Sequence, residues 1–239
     1  YDAQPANFEF GMNYADRLAR QGDSAGAENV HLKMLPHQPN SVELLKMLYE
    51  TAKTHFESGL PAGLDRAVVV LRAIVSHTLL DTKEARLLLA RSLIQKGSID
   101  EAIAVLQGIE GGGYPRLRAQ AITADAFLRK NQPGLAVDIL TKINFGDPNL
   151  TEDLNKEMRY LQAEALEALG QLDDAAAILD ELILRDITFR DVKTRHERLN
   201  LGRKRSQPGE KCPACGKPNP AGARFCGSCG STIASVDFK

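Results

Sequence analysis

The sequence predicts an all-α protein, a superhelix of about five helix pairs with a terminal capping helix, followed by a small β-hairpin module. Three observations predict it. The first is Glu84–Leu106, EARLLLARSLIQKGSIDEAIAVL, where two apolar helical patterns meet at a turn carrying Gly97. Ala90 and Ala102 stand one on each helix, and small residues let two helix backbones approach closely. The second is recurrence. The template returns as Ala124, Asn131, Ala136, then as Ala163, Gly170, Ala175, and upstream as Ala15, Gly22, Ala27. One helix pair cannot bury its apolar stripe alone, so a repeat of this length implies stacking of neighbours. The third is that all four cysteines lie between 212 and 229, as two C-x-x-C pairs.

The elements follow in order. Residues 1–7 are polar and contain Pro5, which suits an entry segment. The first pair runs from about Asn7 to Leu35. His31 reads as a packing histidine. Pro36 and Pro39 end this pair, because proline lacks the N–H and clashes with the preceding turn. Asn40 or Ser41 is the expected N-cap of the next helix. The second pair is irregular, with an expected long turn SGLPAGL between a helix near Ser41–Ser58 and one containing Ala67, Leu71 and Ile74. The third pair is the reference stretch, ended by Gly111–Gly113 and Pro115. No Gly-Lys-Ser/Thr follows those glycines, which excludes a phosphate-binding loop of that kind. The fourth pair runs to Ile143, NFGDPN is turn chemistry, and the fifth pair ends near Arg185. Residues 188–200, TFRDVKTRHERLN, are polar with Phe189, Val192 and Leu199 on one side, as a solvated cap requires. The expected division is therefore an array over 1–200, a linker over 201–210 (LGRKRSQPGE, with the cations Arg203, Lys204 and Arg205), and a cysteine module with its tail over 211–239.

The alanine pattern resembles the tetratricopeptide repeat (TPR). That family sets small residues at repeat positions 8 and 20, here Ala15, Ala90, Ala124, Ala163 and Ala27, Ala67, Ala102, Ala136, Ala175. The family's Trp at position 4 is absent; Gly11, Leu48, Arg86, Gln120 and Arg159 stand there. The resemblance implies a right-handed superhelix with a concave groove lined by positions 2, 5, 9 and 12 of each first helix. In this sequence the expected partner-binding residues are Lys46, Tyr49, Lys53, Phe56, Leu87, Arg91, Arg118, Asp125 and Leu128. Glu157, Tyr160, Glu164 and Glu167 would make the far end of the groove acidic. The asparagine at position 9 that marks chaperone-tail clamps is absent, which disfavours that use.

Cys212, Cys215, Cys226 and Cys229 form a metal-ligand pattern. Gly216 and Gly230 follow the second cysteine of each pair, where a tight turn favours positive φ. Four thiolates complete tetrahedral zinc with no open position, so the site reads as structural; iron fits the same ligands. Two disulfides are the competing reading. The segment resembles the short zinc ribbons at the ends of many bacterial proteins, including Phe225 before the third cysteine, which is expected to pack inside. Thiolate ligands point to a reducing compartment, hence cytoplasm.

The chain has 239 residues and a formal net charge of −1, so nothing global draws it to nucleic acid or membrane. No apolar run approaches the ~20 residues of a membrane span, although the chain starts at Tyr1, which leaves an upstream anchor open. The five histidines are scattered and form no catalytic constellation. The expectation is a non-enzymatic scaffold whose groove binds a protein or peptide, with the ribbon as a structural or secondary contact. The alternatives are nucleic-acid binding through the basic ribbon, and a structural subunit of a multiprotein, membrane-associated assembly.

Overall fold

A computed structural model describes residues 7–206, 208–220 and 223–233. The entry segment expected over 1–7 lies outside the described residues apart from Asn7. Among those described, eleven α-helices are followed by two short strands. They form two compact units, one built on the chain up to Gln132 with Ile143–Thr151, the other on Pro133–Lys142 and the chain from Glu152 onward.

The first unit holds α1 (Phe8–Arg20), α2 (Ser24–Met34), α3 (Val42–Glu57), α4 (Pro61–His77), α5 (Lys83–Gln95), α6 (Ile99–Gln107) and α7 (Tyr114–Arg129). The second holds α8 (Pro133–Leu140), α9 (Glu152–Ala168), α10 (Leu172–Arg185), α11 (Val192–Ser206), β1 (Pro208–Lys211) and β2 (Pro218–Pro220). Every alanine expected at a close helix contact is buried, and so is Ala52 in the irregular second pair. Around these alanines the first unit packs Leu44, Leu48, Leu71, Ile74, Leu89 and Leu93. The second unit packs Ala163 and Ala175 with Leu179, Leu182, Val192 and Leu199, so the cap expected at residues 188–200 closes that core.

The four regular turns share one construction. Gly22, Gly97, Asn131 and Gly170 have φ of 84°, 83°, 56° and 77°. In each, the next residue's N–H reaches back to a carbonyl five residues earlier: Asp23 to Leu18, Ser98 to Leu93, Gln132 to Phe127 and Gln171 to Leu166, all at 2.9 Å. This is the Schellman closure, which satisfies helix-end carbonyls and needs one left-handed residue. The reversing residue then opens the following helix: Asp23, Ser98 and Gln171 each accept, through the main-chain oxygen, the N–H of Ala27, Ala102 and Ala175 at 3.1 Å. The turn residue and the small position are thus joined by one hydrogen bond.

The second pair departs from this. The long turn expected there is short, because Pro61 opens α4 at its first position. Proline's fixed φ is preorganised for that place and its missing N–H is not needed there. Gly63 lets the start of α4 lie against the end of α3; a Cβ there would sit 2.2 Å from Ser58 Oγ and 2.6 Å from the His55 carbonyl oxygen. Ser41 is the N-cap of α3, its hydroxyl accepting from Leu44 N at 3.2 Å. The expected linker is also shorter than composition suggests. α11 runs on to Ser206 and β1 begins at Pro208, since arginine and lysine are good helix formers and the segment up to Ser206 contains no proline.

Asn131 shows that asparagine serves at the left-handed position, so we expect Gly97→Ala to destabilise by about 1–2 kcal/mol and Gly97→Asn by clearly less. Urea unfolding of the two variants checks this; equal losses would contradict the turn construction.

Candidate metal centre and interaction groove

The four cysteines converge. Their Sγ atoms all lie within 4.8 Å of one another, with Cys212–Cys229 at 3.5 Å and Cys215–Cys226 at 3.6 Å. Zinc–sulfur bonds of ~2.3 Å put tetrahedral sulfurs ~3.8 Å apart, so the spacing fits a tetrahedral metal. Two matching knuckles build the site. In the first, Gly216 N donates to the Cys212 carbonyl at 2.8 Å and Cys212 N to Lys217 O at 2.9 Å. In the second, Gly230 N donates to the Cys226 carbonyl and Cys226 N to Ser231 O, both at 2.8 Å. Gly216 and Gly230 have φ of 69° and 75°, as the turn chemistry requires.

Sequence reasoning missed Asn219. It is 7% exposed; its amide nitrogen donates to Lys217 O at 2.9 Å and its oxygen accepts from Gly227 N at 3.1 Å. It therefore ties the first knuckle to the second. A lone Asn between prolines carries no signal of this in the sequence.

The electrostatics call for a cation. The backbone N–H groups of Ser228 and Cys229 draw the Cys226 thiol down to about 6. The Ser231 hydroxyl and N–H draw Cys229 down as well. Cys215 is pulled down by the Lys217 N–H, yet burial and the surrounding sulfurs push it up to about 12. Four sulfurs this close cannot all ionise by themselves, because like charges raise one another's pKa; a bound cation removes that conflict.

Phe225 corrects an expectation. It does not pack inside the ribbon but is 64% exposed. It pairs with Thr232 in an antiparallel bridge, and successive residues of an extended strand face opposite ways. The buried Cys226 points inward to the sulfurs, so its neighbour points out.

The groove residues fall into three groups. On α3, Lys46 and Lys53 are exposed and Tyr49 and Phe56 are half-buried. On α5, Arg91 is exposed and its guanidinium lies 5.0 Å from the Phe56 ring centroid. Burial, with the Glu84 and Glu50 carboxylates, holds the Tyr49 phenol above its ordinary value, while Arg91 opposes this. These residues of α3 and α5 make one surface. Leu87 does not belong to it. It is 4% exposed within the core of the first unit, so it cannot anchor a ligand. The helix α5 is buried around more of its circumference than one groove face allows. On α7, Arg118, Asp125 and Leu128 are half-buried, and Asp125 pairs with Arg129 at 3.0 Å one turn on.

The acidic end of the expected groove is already filled. Glu157 meets Arg190 at 3.7 Å, and Tyr160 donates to the Asp191 carboxylate. Arg195 donates to Tyr160 Oη at 2.9 Å and to Glu167 at 2.7 Å, with Glu164 at 3.6 Å. Arg198 adds a contact to Glu167 at 3.2 Å. Burial and the bond to Asp191 raise the Tyr160 phenol, and that same bond holds the Asp191 carboxyl low. Four positions that would face a ligand are bound by the segment leading into and through α11. The signal was present as RDVKTRHER, whose Arg190, Arg195 and Arg198 are the cations that meet Glu157, Glu164 and Glu167.

The comparisons agree with this architecture. Tetratricopeptide-repeat families match residues 63–116 and 157–186, and a zinc-ribbon domain matches residues 211–233. The chain is similar to a thermophilic TPR protein of Thermus thermophilus, at 18% identity with a TM-score of 0.51, over 81% of this chain and 98% of that one. Nearly identical TPR-like repeats from Podosopora anserina align at 18% identity with a TM-score of 0.47, over 82% and 98%. No curated protein matches the chain. The protein carries tetratricopeptide repeats followed by a C-terminal zinc ribbon with a clustered four-cysteine metal site. Among the described residues, no helix is long and apolar enough to cross a membrane.

We expect about one metal ion per chain by elemental analysis, and Cys226→Ser to lose most of it. Strong chelation should unfold the ribbon, since metal binding supplies folding free energy in such modules, and leave the helical circular dichroism nearly intact. Full metal retention by the variant would refute the site.

Proposed function

We propose that the protein is a non-enzymatic interaction scaffold that captures a partner protein or peptide on the face built by α3, α5 and α7. The carrying observation is the α3–α5 surface. Lys46, Lys53 and Arg91 form no ion pair among the described residues, and Tyr49 and Phe56 sit between them half-exposed. Cations flanking aromatic anchors suit an extended or helical peptide with acidic and apolar side chains. Arg118 and Leu128 extend the face; Leu87 supports it from within. The ribbon, held by zinc with iron as the other metal its thiolates accept, is a structural module with a secondary contact role. Thiolate ligation favours a reducing compartment such as the cytoplasm.

A second reading rests on one observation. Phe225 is exposed beside Arg224, with Lys211 and Lys217 exposed on the same small module. An outward aromatic among cations suits stacking on single-stranded nucleic acid.

We expect affinity capture from nuclease-treated cell extract to recover partners that the double variant Lys53→Glu, Arg91→Glu no longer retains. Because both positions are exposed, thermal unfolding of the double variant should match the parent. Unchanged recovery would sink the groove assignment. Recovery of nucleic acid alone from untreated extract, with nothing retained after nuclease and affinity falling steeply with salt, would favour the ribbon reading instead.

A further inference from the structure

A cleft of about 710 Å³ opens in the first unit between α2 and α3, reached also by the end of α1 and the start of α4. It lies apart from the peptide face and plays no part in that proposal. Its volume falls within the range of small-molecule sites, ~300–1,000 Å³. We propose that it binds a small organic carboxylate with an apolar body.

The apolar part follows from the walls. Ala19, Ala25 and Ala27 line it, together with Thr51 and Thr54. Both threonine hydroxyls are committed to their own helix: Thr51 Oγ1 donates to Met47 O at 2.9 Å and Thr54 Oγ1 to Glu50 O at 3.0 Å. A hydroxyl spent on the preceding turn leaves the methyl group as the free feature.

The charged part follows from Glu28. This carboxylate on α2 is 5% exposed, which is rare for glutamate unless it is paired. His55 Nε2 lies 2.6 Å from its Oε2, and Arg66 bonds its Oε1. Both oxygens are therefore occupied, and two groups able to carry positive charge meet one negative charge. Arg66 spends only Nη2, which also reaches Asn29 Oδ1 at 3.1 Å. Its Nε and Nη1, and His55 Nδ1, have no partner among the described residues. Glu28 thus fixes the Arg66 guanidinium at the cleft with its Nε and Nη1 donors unspent, and a planar guanidinium fork matches a carboxylate.

His31 supplies the third observation. It lines the same cleft at 7% exposure, and its Nε2 is a buried polar atom with no hydrogen bond. Orphaned polar atoms are uncommon in folded proteins and mark places the chain alone does not complete. Burial lowers the affinity of His31 for a second proton, although Glu28 opposes this. His31 thus adds an unsatisfied polar atom to the cleft wall. If the Glu28 cluster only held α2 to α3 and α4, it would bind nothing added from solution.

The test is NMR on the whole chain, following the His31 and His55 imidazole signals during titration with phenylacetate and N-acetyl-leucine, and with the corresponding amides. We expect both carboxylates to shift the two signals saturably at about 1 mM, and the amides to bind about ten-fold more weakly or worse. Ala25→Leu, which narrows the cleft without touching a charge, should abolish the shifts; Arg66→Lys, which keeps Glu28 paired but removes the fork, should weaken them about ten-fold. Amides binding as well as acids, no shift with any probe, or shifts that persist in Ala25→Leu would each overturn the proposal.

Discussion

The repeats depend on one constraint: two helices can approach to alanine distance only if the chain reverses within a few residues. A left-handed residue permits the reversal, and the Schellman bond that closes it fixes the start of the next helix. That helix start then carries Ala27, Ala102 or Ala175 back onto its partner. The leucines around each contact can fill space only once the backbones are this close. The second pair reaches the same closeness by other means, with Gly63 removing the Cβ that would collide with α3. The shared requirement is therefore proximity, and the Gly or Asn turn is one way to meet it.

The last helix pair and the ribbon solve burial differently. The last helix pair would expose its inner face, and α11 covers it with Val192 and Leu199 while Arg195 binds Tyr160 and Glu167. Arg195 is 11% exposed at its side chain, so these contacts are largely shielded from solvent and little screened by salt. The ribbon is too short to bury a core, and its interior is two cysteine knuckles joined by Asn219. A metal ion takes the place of apolar burial there.

Much of this was legible in the sequence because it depends on local rules. Small residues at a fixed spacing, one residue able to take positive φ, and paired C-x-x-C steps each have few structural solutions. The misreadings arose where a residue's environment comes from distant chain. Leu87 occupies a position that lines the groove in the repeat family, yet α5 is buried nearly all round and takes it into the core. Phe225 invited an inward reading as a lone aromatic in a tiny module, but alternation with Cys226 turns it out. Glu28, His55 and Arg66 lie on three different helices, and no spacing announces that they meet. The acidic residues of α9 were visible; that the protein's own next segment answers them required the packing of α11.

The central claim is that the ligand face belongs to α3 and α5, while the corresponding face of α9 is closed by α11. The most direct measurement places a photo-crosslinking amino acid in living cells at Lys53 or at Glu164. The account predicts covalent adducts with a partner from the first position and none from the second. Adducts from Glu164, or none from Lys53 while other surface positions give them, would contradict it.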